Sequence, residues 1–170
     1  SDSRGRAWGS GFRVQGSVTR RFSDGRRITV EGNWDDINMI IRAFQTATGR
    51  LEHCGVPVVT APAGLALGGG CEMTLGANAV RAAAETYIGL VEFGAGVIPA
   101  GGGCLRMYQR NVDALMDKRD LQPAFRKTFE TIGTAKVATS AVEAVELGFL
   151  RPGDSWSLNR DHLAADAKDL

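Results

Sequence analysis

The pattern of apolar and polar positions divides the chain into an irregular opening, an alternation of extended and helical segments, and a helical end. Apolar residues recur at helical spacing from Ile37 to Leu51 and predict a first helix. Asp35 and Asp36 lie just before this stripe, where acidic side chains suit the positive N-terminus of a helix. The run 56–61 is rich in β-branched residues and predicts a short buried strand.

The order of extended segment, glycine turn and helix start then occurs twice. Segment 56–61 is followed by the triplet Gly68-Gly69-Gly70 and by the helix-competent residues 71–75. A second extended segment is predicted from Val80 to Ile88, and it leads to a second glycine cluster at 101–103 and another helix start. This alternation is typical of an α/β fold.

The last third of the chain predicts helices and no strands. Three segments have helical character, 123–132, 140–147 and 159–169. Ser140 with Glu143 three residues later is a capping-box pattern, and Gly148 stands where a C-cap glycine belongs. We give these capping residues a structural role only.

The first 30 residues differ in charge from the rest. They contain seven arginines and two aspartates, a net charge of +5, and show no sustained helical or strand period. We therefore expect a basic, glycine-rich leader over 1–31 that is either poorly ordered or an altered remnant, followed by a partial domain over 32–170. A basic arm that binds nucleic acid is the alternative, although no aromatic interleaving supports it.

The whole-chain composition excludes several classes of function. Lys+Arg 20 against Asp+Glu 19 gives a net charge of +1, so we expect no nucleic-acid partner. No apolar run reaches the roughly 18–20 residues that a membrane span needs, so we expect no membrane association. The three cysteines form no CxxC pair, which predicts reduced thiols and a cytoplasmic location: Cys54, Cys71 and Cys104.

Glycines and two glutamates carry the candidate chemistry. Three consecutive glycines at a strand end indicate either a turn that needs positive φ or a close approach of another group to the backbone. The first N–H groups of the following helix are unpaired donors that can receive an anion or a developing oxyanion. Glu72 lies in the first turn of that helix, and Glu92 follows the next extended segment. Two carboxylates delivered to one cleft could hold a water, which suits addition of water to an activated double bond.

Three segments resemble one known family. Residues 57–72 (PVVTAPAGLALGGGCE), 87–94 (YIGLVEFG) and 97–102 (VIPAGG) are similar to the signature stretches of the crotonase (enoyl-CoA hydratase/isomerase) superfamily. The resemblance implies a crotonase-type spiral of ββα units with a helical C-terminal region. It implies that Glu72 and Glu92 are the catalytic acid and base, and that the Gly69 N–H is one oxyanion-hole donor. The residues expected beside the substrate are Gly68, Gly70 and Ala100.

The segment 129–152 is more particular, because it resembles the C-terminal part of bacterial multifunctional proteins that join a 3-hydroxyacyl-CoA dehydrogenase to a crotonase domain. This implies an acyl-CoA thioester substrate, fatty-acid β-oxidation and a homo-oligomer of the trimer type. We expect no cofactor in this chain, because CoA is part of the substrate and NAD would need a dehydrogenase domain. The two histidines have no ligand-spaced partners, so we expect no metal site.

The N-terminal stretch departs from the family pattern. The second oxyanion donor falls on the Arg26 N–H, within Phe22-Ser23-Asp24-Gly25-Arg26, where arginine replaces the usual small residue. Residues 1–21 do not resemble the first strands of the family, so we expect those strands to be lacking. Three hypotheses stay open: an enoyl-CoA hydratase, a truncated crotonase-fold remnant or assembly module without a competent site, and an enoyl-CoA isomerase. The presence of both glutamates favours the hydratase over the isomerase.

Overall fold

Two short strands precede the first helix in the computed structural model, which describes residues 18–21, 27–30 and 34–170. Strands β1 (Val18–Arg21) and β2 (Arg27–Val30) pair antiparallel, with Val18 opposite Val30. The sequence did not predict these two strands, because the opening residues show no sustained strand period. Their valines, threonines and isoleucine favour extended backbone, but four-residue runs interrupted by arginines are too short to show alternation. The chain forms two compact units, divided between Arg42 and Ala43.

The predicted first helix is confirmed as α1 (Trp34–His53), which has Asp35 and Asp36 in its first turn. The apolar stripe that predicted it is not a buried face, however. Ile40 is 63% exposed, and Thr48 is the buried residue of this helix. The helical period therefore identified the element correctly without identifying the residue that anchors it.

The first sheet of the second unit is parallel. Its strand order is β3-β5-β8, from the segments Val59–Thr60, Ala79–Ala83 and Ser155–Ser157. Val59 pairs with Ala79, and Arg81 pairs with Ser155, both in parallel register. The predicted strand at 56–61 is confirmed in a shorter form.

A second small sheet carries the residues of interest. Its strand order is β4-β6-β7, from the segments Leu65–Leu67, Tyr87–Gly89 and Val137–Ala138. Strands β4 and β6 run parallel, whereas β6 and β7 run antiparallel. The single extended segment predicted from 80 to 88 is wrong, because it is two strands in different sheets. The chain turns between them where the Thr86 N–H donates to the Ala83 carbonyl at 3.1 Å.

Helices follow the strand ends as the alternation predicts. Helix α2 (Gly69–Leu75) follows β4, and a 3-10 helix at Glu92–Ala95 follows β6. Helix α3 (Gly103–Asp113) begins inside the second glycine cluster. The first glycine triplet is therefore mostly helix start, since Gly69 and Gly70 are already helical residues.

The C-terminal helices are confirmed, with two short strands between them that we did not predict. The remaining helices are α4 (Gln122–Gly133), α5 (Ala141–Leu147), a 3-10 turn at Arg160–His162, and α6 (Leu163–Lys168). The Ser140 Oγ accepts the Glu143 N–H at 3.2 Å, and Gly148 ends α5 at φ 88. The strands β7 and β8 were missed because two or three residues cannot show a period of two.

The core of the second unit contains many small side chains. Its largest fully buried side chains include Phe149, Leu75 and Ile88, and six of its fifteen described residues are alanine: Ala66, Ala77, Ala82, Ala138, Ala141 and Ala144. Alanine lets strands and helices approach closely, so the glutamates near this core lie against tightly packed backbone. Within the described residues, no helix combines the length and apolarity that crossing a bilayer requires.

Candidate active site

Two parallel strands end side by side at the site. Leu67, the last residue of β4, lies opposite Gly89, the last residue of β6, and the Gly68 N–H donates to the Gly89 carbonyl at 2.8 Å. The carboxyl ends of parallel strands share one edge of a sheet, so the segments that follow them begin at the same place. Glu72 and Glu92 are delivered from these two neighbouring ends, as the sequence pattern predicts.

Glu72 is held by backbone N–H groups. Its side chain is 3% exposed, and its Oε1 accepts the Gly103 N–H at 2.8 Å. Burial raises the pKa of this carboxyl, while the N–H groups of Gly103 and Gly101 and the charge of Arg106 act in the opposite direction. Those donors stabilise the ionised form and offset part of the effect of burial, although the pKa of the Glu72 carboxyl stays above its ordinary value.

The glycines at 101 and 103 are required by this close approach. A Cβ on Gly101 would lie 2.6 Å from Glu72 Oε2, and a Cβ on Gly103 would lie 3.0 Å from Glu72 Oε1. The sequence indicated the second glycine cluster only as a helix start. The recurrence of three consecutive glycines at 101–103 was a signal that a side chain approaches the backbone here, and that signal was missed.

Glu92 has the opposite environment. Both of its carboxylate oxygens are buried, and within the part of the chain that the structure describes neither accepts a hydrogen bond from another residue. Burial raises the pKa of the Glu92 carboxyl, its own backbone N–H opposes that shift, and the charge of Glu72 raises the pKa further. A buried carboxyl without donors keeps its proton to a higher pH than an exposed one.

The charges of Glu72 and Glu92 both affect the thiols of Cys71 and Cys104. Burial raises the pKa of the Cys104 thiol, and the charges of Glu72 and Glu92 raise it further. Burial likewise raises the pKa of the Cys71 thiol, with added contributions from both glutamates. Neither thiol is therefore prepared as a nucleophile. All three cysteines of the chain are free.

The three glycines of the first cluster differ in what they need. Gly68 has φ +57, a conformation that favours glycine, and a Cβ there would lie 3.5 Å from Glu92 Oε1. A Cβ on Gly69 would lie 3.1 Å from the Phe44 ring, whereas a Cβ on Gly70 would meet no atom within 4 Å. Gly69 and Gly70 open α2, so the helix offers their N–H groups no acceptor of its own.

The other predicted site positions divide into two groups. Ala100 is partly buried in the turn before α3, and its carbonyl accepts the Gln45 amide at 2.9 Å. Arg26, the predicted second oxyanion donor, lies outside the described residues. Phe44 lies on the apolar stripe of α1. Its ring occupies the space that a Cβ on Gly69 or on Gly101 would need.

A largely apolar cavity of about 670 Å³ is lined by Phe93, the residue that follows Glu92. It lies between the 3-10 helix at Glu92–Ala95 and helices α3 and α4, and its apolar lining includes Phe93, Ile98, Tyr108, Phe125 and Phe129. The site therefore combines two carboxyls of unlike environment, unpaired helix N–H groups and an adjacent apolar space. Among the described residues no group of three or more His, Cys, Asp or Glu is placed to hold a metal ion.

Solved structures define the class of fold. An enoyl-CoA hydratase from Bacillus anthracis superposes with a TM-score of 0.62 at 26% identity, covering 81% of this chain and 46% of that one. A Thermobifida fusca protein in complex with CoA superposes with a TM-score of 0.63 at 16% identity, covering 82% and 48%. The fold is the crotonase-type α/β fold, as predicted.

Sequence comparison then gives the family. The sequence model of the enoyl-CoA hydratase/isomerase family matches residues 14–116, so the chain belongs to that family. The match begins at residue 14, whereas we expected the domain to begin at residue 32.

Curated relatives include one protein named for a dehydrogenase and one named for fatty acid oxidation. A Bacillus subtilis protein named probable 3-hydroxyacyl-CoA dehydrogenase is 44% identical over 140 residues, which are 82% of this chain and 17% of that protein. A Rickettsia felis protein named for a fatty acid oxidation complex trifunctional enzyme is 37% identical over 81 residues, 48% of this chain and 11% of that protein. This chain therefore spans less than a fifth of the relatives it matches.

Proposed function

We propose that this chain supplies an enoyl-CoA hydratase site, which adds water to trans-2-enoyl-CoA in fatty-acid β-oxidation. The observation that carries the proposal is the pair of buried glutamates at neighbouring strand ends. One is held by a backbone N–H group, and the other receives no hydrogen bond from any other described residue. Environments that treat two carboxyls differently are how one site obtains a base and an acid at the same pH.

The two glutamates divide the proton transfers. Glu72, stabilised as a carboxylate, removes a proton from water while the water oxygen forms a bond to C3 of the enoyl group. The C2–C3 π electrons move toward the thioester, whose oxygen becomes an enolate oxygen. Glu92, whose pKa burial raises above its ordinary value, donates its proton to C2, which restores the thioester carbonyl. Each well-placed acid or base contributes roughly 10²–10⁴-fold to the rate.

In this proposal the Gly69 N–H stabilises the enolate oxygen. It is the first helical N–H of α2, beside the turn that carries Glu72. We propose the Arg26 N–H as the second donor, and that residue lies outside the described part of the chain. Removal of one donor from such a pair costs about 3–4 kcal/mol of transition-state stabilisation.

In this proposal the acyl chain occupies the cavity between the 3-10 helix at Glu92–Ala95 and helices α3 and α4, because Phe93, Ile98 and Phe129 give it a largely apolar lining. CoA enters as part of the substrate; the similar Thermobifida fusca protein was solved in complex with CoA. We place the activity in the cytoplasm, where the free thiols of Cys54, Cys71 and Cys104 stay reduced, within a homo-oligomer of a dehydrogenase-related protein. Gly68, Gly70 and Ala100 border the reacting atoms in this proposal.

The test is hydration of crotonyl-CoA by the purified chain, followed as loss of the ultraviolet absorbance of the conjugated thioester. We expect Glu72→Gln and Glu92→Gln each to lower kcat by roughly 10²–10⁴-fold. The matched control is Glu146→Gln, which changes an exposed glutamate of α5 and leaves the rate unchanged.

Two other results would redirect the proposal. Conversion of a 3-enoyl-CoA to the conjugated 2-enoyl-CoA without hydration, and with retained activity in one of the two variants, would identify an isomerase. A folded chain that binds CoA and catalyses neither reaction would identify a remnant or assembly module.

A further inference from the structure

The turn before α3 contains three consecutive backbone carbonyls that each accept a hydrogen bond, those of residues 100–102. The Gln45 amide donates to the Ala100 carbonyl at 2.9 Å, and the Arg106 N–H donates to the Gly102 carbonyl at 2.9 Å. Each of these carbonyls shares a peptide plane with an N–H group that faces Glu72, on Gly101 and on Gly103 respectively. A bond to one end of a planar peptide fixes the direction of the other end.

The middle peptide of this turn is held by two side chains. The Gly101 carbonyl accepts Thr48 Oγ1 at 2.5 Å and Arg106 Nη1 at 3.2 Å. Thr48 lies on α1 and Arg106 on α3, so the turn 100–103 is fixed from two helices at once. We call this arrangement the turn clamp: Gln45, Thr48 and Arg106, acting on the turn 100–103.

Arg106 uses its whole guanidinium in the turn clamp. It is 7% exposed; its Nη2 donates to the Thr48 carbonyl at 3.1 Å, and its Nε to Glu52 Oε2 at 3.1 Å. A Cβ on Gly102 would lie 1.9 Å from Arg106 Nη1, so the side chain passes directly over that glycine. A planar fork with fixed donors suits several acceptors in one geometry, which a lysine cannot match.

We infer that Arg106 is a positioning residue for the acid–base site: it acts on Glu72 through the turn 100–103, whose N–H groups hold the carboxylate. The inference rests on the proposed function, because it gives Glu72 the role of base. Other charged or titratable groups facing Glu72 are Glu92 on the 3-10 helix and Cys71 and Cys104 on helices α2 and α3. Glu52 of α1 pairs with Arg106 at 3.0 Å.

Arg106 also acts on Glu72 by its charge. This charge lowers the pKa of the Glu72 carboxyl, against the larger effect of burial. Replacement of Arg106 by methionine therefore removes two supports of the carboxylate, the fixed N–H groups and the charge. The acid limb of the kcat–pH profile, which reports ionisation of the base in the substrate complex, is expected to move to higher pH.

The test compares Arg106→Met and Arg106→Lys with a matched arginine on the same helix. Arg110 lies one turn further along α3 and also holds backbone carbonyls, at 2.6 Å to Phe149 and 3.0 Å to Leu75, but it does not touch the turn. We expect Arg106→Met to lower kcat roughly 10- to 100-fold with KM nearly unchanged, and to move the acid limb upward. Arg106→Lys keeps the charge, so the acid limb of its kcat–pH profile should lie closer to that of wild type than the limb of Arg106→Met does. Its kcat should stay low, because lysine cannot make the bonds of the guanidinium.

Arg110→Met is expected to lower the melting temperature and leave the acid limb in place. An equal shift of the limb in the Arg106 and Arg110 variants, or no shift in either, would overturn the inference. Should Arg106→Met fail to fold, Thr48→Val removes one bond to the Gly101 carbonyl without any change of charge. It is expected to lower kcat, again with KM nearly unchanged.

A measurement without turnover separates this inference from the proposed function. The titration of Glu72 is followed by carbon-13 NMR of carboxyl-labelled glutamate in the substrate-free chain, with Glu72→Gln to assign the signal. A higher Glu72 pKa in Arg106→Met than in Arg110→Met supports the positioning role even if the wild-type chain does not hydrate crotonyl-CoA. Equal pKa values in these two variants would overturn it even in an active hydratase.

Discussion

Replacement of Glu92 by glutamine is expected to stabilise the fold while it lowers the hydration rate. Both Glu92 oxygens are buried, no other described residue donates a hydrogen bond to them, and burial raises the pKa of this carboxyl above its ordinary value of 4.5. Below pH 4.5 the folded and unfolded chains both bind the proton, so the group makes no difference to stability. As the pH rises from 4.5 through the raised pKa, the unfolded chain releases the proton more readily, and the folded state loses stability relative to it.

Glutamine cannot ionise and so has no such loss. It keeps the shape of the side chain, and it leaves a neutral amide where a carboxylate without partners would stand. Buried groups without hydrogen bonds cost roughly 1–3 kcal/mol, and more when charged. We therefore expect a net gain of about 1 kcal/mol at pH 8, or roughly 2–4 °C in melting temperature for a chain of this size. Loss of repulsion with Glu72 acts in the same direction.

The assay is thermal unfolding of wild type, Glu92→Gln and the exposed control Glu146→Gln between pH 4.5 and 8. The melting temperature of Glu92→Gln should exceed that of wild type at pH 8, and the difference should shrink as the pH falls toward 4.5. Glu146→Gln should follow wild type throughout. A pH-independent difference, or a variant that is less stable at pH 8, would refute the reasoning.

Two further predictions concern positions outside the acid–base pair. Gly103→Ala would place a Cβ 2.7 Å from Pro99 Cβ and 2.9 Å from Leu90 Cδ2, so overpacking should cost about 1–3 kcal/mol in urea unfolding and lower the hydration rate. The control Gly49→Ala meets no atom within 4 Å in α1 and should gain roughly 0.5–1 kcal/mol; equal behaviour of the two would contradict the crowding. Ser140→Ala removes the cap of α5 and should lower stability by about 1 kcal/mol with an unchanged hydration rate, whereas a lower rate would show that α5 affects the site.

The parts of the fold that sequence could predict are those with a long enough period. Helix α1 shows helical spacing over about four turns, and the cap at Ser140 has a local chemical cause that is visible in four residues. Strands of two or three residues, such as Val137–Ala138, have no period to detect, and the break between β5 and β6 depends on one backbone turn. Long elements and caps are local properties, whereas short strands exist because a neighbouring strand pairs with them.

The candidate site divides in the same way. The pairing of Glu72 with Glu92 could be predicted because parallel strands deliver their following residues to one edge. Thr48 and Arg106 could not, since each reaches the Gly101 carbonyl across a distance that only the folded chain closes. Their sequence signals, a threonine in an apolar stripe and an arginine in an amphipathic helix, are common on ordinary helices. The resemblance to the crotonase family added roles to the glutamates but no information on what holds them.

Gly70 is an exposed helical residue without positive φ, in the first turn of α2. Apart from its chain neighbours and the backbone of its own helix, no described atom lies within 4 Å of the place where its Cβ would be. Glycine at such a position weakens a helix by roughly 0.5–1 kcal/mol, so alanine there should strengthen α2. Position 70 is therefore one at which a side chain can be added to the start of α2 without crowding the described part of the chain.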